Sequence, residues 1–83
     1  MLSKVQIKNI NLMIRLGRPS VAVHLALMAN HERGGYVNLA NALDDLQGLV
    51  SPAQFAGALG ALEKEGKYKA LQGDYKGHYG QVI

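Results

Sequence analysis

The chain has 83 residues, a formal net charge of +3 and no cysteine. That length bounds it to one domain with a small core, burying about 60% of its unfolded surface. The missing cysteines exclude disulfide staples and thiolate metal sites, and fit a reducing cytoplasm, where we expect the protein to reside. The best apolar stretch, residues 21–29, is broken by His24 and is too short to span a bilayer. The opening MLSKVQIKNI is interrupted by Lys4, Gln6, Lys8 and Asn9 and does not read as a signal peptide.

In chain order, KVQIK alternates polar and apolar residues, which predicts a short strand over 4–8. NINLMIRLG fits either period, and we read it as a short helix closed by Gly17. Pro19 suits the first turn of the next helix, because the N–H it lacks has no partner there. Val21, Leu25 and Met28 then share a face, with Ala22, Ala26 and Ala29 beside them, and Gly34-Gly35 stops the helix. YVNL (36–39) is β-prone. Asn38 caps a helix from Leu39 to about Gln47, with Leu39, Leu43 and Leu46 on one face and Gly48 at its end.

Ser51 and Pro52 are strong N-cap and first-turn residues for a further helix, which places Phe55, Leu59 and Leu62 on its core face and ends at Gly66. KYKALQ and HYGQVI flank the turn signals Gly73-Asp74 and Gly77, which predicts a C-terminal β-hairpin. The order is helix, short strand, helix, turn, helix, hairpin. The expected class is therefore α+β, mainly helical, a winged helix-turn-helix in one domain over 1–83. Residues 1–18 form an extension, 19–66 the helical core and 67–83 the wing.

The residues also carry a family resemblance. VHLALMANHERGGYVNL is similar to the first helix and following strand of winged helix-turn-helix regulators. ALDDLQGLVSPAQFAGALGALEKEG is similar to their helix-turn-helix, with Ser51 at the cap, Leu59 and Leu62 at apolar positions and Gly66 at the end. KVQIKNINLMIRLGRPS is similar to the lead-in of phage and plasmid members. The resemblance covers nearly the whole chain and implies a fold more than a function. It implies a DNA-binding protein of transcriptional or replication control, with helix 51–66 in the major groove and the wing on the backbone. Two departures stand out. The turn QGLVS is one residue longer than usual, and the exposed positions that commonly hold Arg, Lys, Ser or Thr hold Ala53, Gln54, Gly57, Gly60 and Ala61.

Ala53, Gly57 and Ala61 make a stripe of small residues, and each helical glycine costs about 1 kcal/mol relative to alanine. Three readings stand side by side. A DNA groove is one, with alanine against a thymine methyl and Gln54 bonding adenine N6 and N7. A protein partner helix is another. The third is a helix that is merely tolerant or packs on its own domain.

For DNA, the phosphate contacts fall to Lys64, Lys67 and Lys69, to Lys76 and His78 near the wing tip, and to the N-terminal N–H groups around Ser51. Lys64 and Lys67 equally suit a solvated helix end. Residues 1–18 add Lys4, Lys8, Arg15 and Arg18 with no acid, which points to phosphate or an acidic partner, or to a solubilising surface. Tyr68 and Tyr79 read as packing and Tyr75 as exposed; stacking on RNA or single strands through these tyrosines is a further reading.

Double-stranded DNA and a homodimer are the expected partners, with Val5, Ile7 and Ile10 as candidates to pair between subunits. A protein-interaction module using the small-residue face is the alternative. No metal or cofactor is expected: His24, His31 and His78 have no ligand spacing, and Asp44-Asp45 is a single adjacent pair. No nucleophile or phosphate-loop motif accompanies Ser3, Ser20 or Ser51, and GALG and GHYG match a KH loop in letters only. No enzyme activity is expected.

Overall fold

A computed structural model describes residues 3–71 and 79–83. Four helices, α1 (Lys4–Arg15), α2 (Pro19–Asn30), α3 (Leu39–Asp45) and α4 (Pro52–Lys64), accompany three short strands, β1 (Tyr36–Asn38), β2 (Tyr68–Ala70) and β3 (Tyr79–Val82). The class is α+β and mainly helical. The sheet is antiparallel in the order β1-β3-β2, so the last strand lies between the other two. Among the described residues no helix is long and apolar enough to cross a membrane.

The strand expected over 4–8 is instead the start of α1. Ser3 and Gln6 form a capping box: Ser3 N–H donates to Gln6 Oε1 at 2.7 Å, and Gln6 N–H to Ser3 Oγ at 3.2 Å. Ile10 is fully buried, and Met13 and Ile14 pack against the core at helical spacing. The period-two alternation of Val5 and Ile7 has no sheet to serve, and both side chains are exposed. Pairing of Val5, Ile7 and Ile10 between subunits as strands is therefore excluded. Gly17 closes α1 as expected. With φ +73°, it lets Arg18 N–H reach back to Met13 O at 2.8 Å.

Helix α2 ends at Asn30, short of the glycine pair. Asn30 Nδ2 donates to Ala26 O at 2.8 Å and to Asp45 Oδ2 at 3.0 Å. The side chain thus competes for a carbonyl that would otherwise serve the helix. Gly34 and Gly35, both at positive φ, form a 3-10 turn leading into β1. The buried face of α2 also differs from the reading above. Ala22, Val23, Ala26 and Leu27 are fully buried, Leu25 is partly buried, and Val21 and Met28 are exposed. α2 packs against both α1 and α4, so it needs two inward stripes at i, i+4, and the alanines admit close helix approach.

Asn38 caps α3, accepting from Ala40 N–H and Asn41 N–H. The helix stops at Asp45, two residues before the expected end, in turns that run to Gly48 at φ +82°. Val37, Ala42, Leu46, Val50, Phe55, Ala58, Leu62 and Tyr68 complete the core. β3 registers Gly80 opposite Val37 on one side and Ala70 on the other. A Cβ at Gly80 would overlap the Tyr68 ring, so glycine there makes room for the tyrosine that seals the sheet to the helices.

Candidate nucleic-acid interface

The candidate surface is the outward face of α4 and the strand that follows it. Buried Leu46 and Val50 anchor the turn before it, while Phe55, Ala58 and Leu62 hold α4 inward. Ala53, Gln54, Gly57, Gly60 and Ala61 are all exposed. A Cβ added at Gly57 or Gly60 would meet nothing within 4 Å, so no other part of the described chain approaches these glycines. Among the described residues, nothing packs on this face at Gly57 and Gly60.

The N-terminus of α4 is more fully satisfied than the sequence implied. Ser51 Oγ accepts from Gln54 N–H at 3.1 Å, and Gln54 Oε1 accepts from Ser51 N–H at 2.8 Å. Pro52 has no N–H, and Phe55 N–H reaches Ser51 O at 2.9 Å. Ala53 N–H is left as the first-turn donor without a partner among the described residues. The expected set of free N–H groups around Ser51 thus shrinks to one. The capping box has a second consequence: bidentate adenine recognition requires the Gln54 oxygen that already accepts from Ser51. In this geometry one of the two lone pairs of Gln54 Oε1 is taken, and its Nε2 donors remain for a base.

At the other end, Gly66 at φ +74° terminates α4. Lys67 N–H donates to Leu62 O at 2.9 Å and Gly66 N–H to Glu63 O at 3.1 Å. This sharp stop places Lys64, Lys67 and Lys69, all exposed, at the junction of α4 and β2. Their field is partly offset. Lys67 Nζ lies 3.5 Å from Glu65 Oε2, with both side chains about half exposed, a geometry in which the pair contributes little to stability. Glu63 Oε2 accepts from Ala70 N–H at 3.3 Å. Burial, and then the Glu63 carboxylate, push the Tyr68 hydroxyl above its ordinary pKa of 10.0.

Lys76, His78 and Tyr75 lie outside the described residues, as does the turn that joins β2 to β3. Tyr68 is buried and Tyr79 half-buried, so Tyr68 is not available as a stacking platform. The expected hairpin is present as paired β2 and β3; what sequence reasoning missed is that β1 joins its far edge.

Also missed is an apolar cleft of about 340 Å³ beside the α4 face, lined by Leu39, Ala40, Leu43, Phe55, Ala56 and Leu59. Ala40 and Ala56 are too short to fill the space between α3 and α4, and their position beside the leucine and phenylalanine rows was the signal available. His31 Nδ1 hydrogen-bonds with Met28 O at the end of α2, and His24 is half-buried, its buried Nε2 lacking a hydrogen-bond partner among the described residues. Among the described residues no group of three His, Asp or Glu side chains stands close enough to hold a metal ion. Comparison of the chain with protein-family models, curated proteins and solved structures returns no match.

Proposed function

We propose that this is a small winged helix-turn-helix DNA-binding protein of transcriptional or replication control, acting in the cytoplasm without covalent chemistry. One observation carries the reading: among the described residues nothing covers the small-residue face of α4, which runs directly into the exposed Lys64, Lys67 and Lys69. Small side chains let a helix backbone sit deep in a major groove, where Ala53 and Ala61 meet thymine methyls and Gln54 Nε2 donates to a base acceptor. The lysines, together with the β2–β3 hairpin, take the phosphates and supply most of the affinity. With so few base-reading groups, sequence preference draws on DNA shape and deformability.

A mobility-shift assay against a random duplex pool tests this. Retarded complexes are expected at low salt and fade as salt rises; the absence of any complex at low salt refutes the proposal.

The apolar cleft between α3 and α4 favours a second reading, in which an amphipathic helix of a protein partner docks along α4. Lys64→Gln together with Lys67→Gln separates the two. Loss of these charges weakens duplex binding and flattens its salt dependence, whereas docking of an apolar helix face in the cleft is left intact.

A further inference from the structure

Helix α1 carries two rows of side chains on its outward half, opposite the buried Ile10. Lys4, Lys8 and Arg15 form one row, and Val5, Leu12 and Leu16 form the other. All six are exposed, Val5 at 69% and Leu16 at 60%. At the helical period the two rows lie side by side, so the apolar row is flanked by cations along its length. Arg18 follows in the turn before α2. No acid precedes Glu32 in the chain, and among the described residues no carboxylate pairs with any of these four cations. We propose that this face of α1 binds the surface of an anionic lipid bilayer, with the helix lying in the plane of the interface.

Charge complementarity selects that occupant. The basic row has no partner in its own domain, and a second copy of the chain brings the same sign of charge against it. Duplex DNA satisfies the cations, but its phosphate backbone offers nothing to Val5, Leu12 and Leu16. An anionic bilayer meets both rows at once. Headgroup phosphates take Lys4, Lys8 and Arg15, and the boundary with the acyl chains takes the apolar row. The long stems of lysine and arginine let the charges sit shallower than the leucines beside them. The apolar row holds only three side chains on a helix of 12 residues, so binding is reversible and fades at high salt. This face is not that of α4, so the inference and the nucleic-acid reading stand or fall separately.

Co-sedimentation of the full chain with vesicles tests it. Vesicles of equal parts phosphatidylcholine and phosphatidylglycerol are expected to pellet the protein at low salt, and phosphatidylcholine alone to leave it in the supernatant. Lys8→Gln with Arg15→Gln is expected to lower partitioning about 25-fold, at about fivefold per charge. Leu12→Ser with Leu16→Ser, which leaves every charge in place, is expected to release the protein as well. Lys64→Gln with Lys67→Gln is expected to bind vesicles as the parent does. All these positions are exposed, and the circular dichroism spectrum is expected to stay unchanged.

Depth is read by fluorescence, since the chain has no tryptophan of its own. The emission of Val5→Trp is expected to shift to the blue on anionic vesicles and to be quenched by lipids brominated on their acyl chains. No binding to anionic vesicles, equal binding to both vesicle types, binding indifferent to the leucine pair, or an emission unmoved by vesicles each overturns the proposal. So does a Lys8→Gln, Arg15→Gln variant that loses duplex binding and keeps vesicle binding, which assigns the basic row to nucleic acid.

Discussion

Gly57 and Gly60 lie inside α4 with helical backbone and open space where a Cβ would stand. Replacing either by alanine therefore introduces no clash and removes backbone freedom from the unfolded chain. Each substitution is expected to stabilise the fold by about 0.8–1 kcal/mol, and the pair by about 2 kcal/mol. For a domain of this size about 4–8 °C accompany each kcal/mol, so the double variant should melt about 8–16 °C higher. Thermal and urea unfolding followed by circular dichroism measure the gain. Duplex binding by the same protein supplies the second half of the test: on the proposed docking the more stable protein should bind DNA more weakly, because two methyl groups would stand between the helix backbone and the groove. A double variant that is no more stable would refute the open geometry assigned to this face. One that is more stable and binds DNA unchanged would detach the face from DNA contact.

The remaining predictions concern the elements that hold this face in place. Gly80→Ala drives a Cβ into the Tyr68 ring and should destabilise by about 1–3 kcal/mol in urea unfolding. Ser51→Ala removes the capping hydroxyl of α4 and should lose about 1 kcal/mol in the same assay. Tyr68 is held neutral by burial and by Glu63, so its folded pKa lies above its unfolded value. Its contribution is present in full below pH 10 and is lost as pH rises through the folded pKa. Unfolding midpoints should therefore fall on the alkaline side, and Tyr68→Phe should flatten that fall.

Legibility in the sequence tracks how local the determining physics is. The caps at Asn38 and Ser51 and the stop at Gly66 are each written in a few adjacent residues, and α3 and α4 begin where those residues predict. The first turn of α1 reads as a strand for a related reason, although its second half reads as helix. Ser3-Lys4-Val5-Gln6 holds a capping-box signature, but the alternation of Lys4, Val5, Gln6, Ile7 and Lys8 satisfies a strand period equally well. Only the docking of Ile10 on the core decides between them. The face of α2 required knowing that two helices flank it. The same tertiary dependence hid the place of β3 between β1 and β2, and the apolar cleft left where α3 and α4 part. At the candidate interface, exposure of the small residues followed from the period of Phe55, Leu59 and Leu62. The engagement of Gln54 by Ser51 did not, although Ser51-Pro52-Ala53-Gln54 carries the same signature as the start of α1.

On the proposed function, the outward face of α4 and the lysines after it meet duplex DNA. Titrating isotope-labelled protein with short duplexes from a random pool at low salt, and following each backbone amide by NMR, tests it residue by residue. The perturbed amides are expected to cluster at Ala53, Gly57, Gly60, Ala61, Lys64, Lys67 and Lys69, and the shifts to reverse on adding salt. Unperturbed spectra, or changes confined to α1 with α4 untouched, would contradict it.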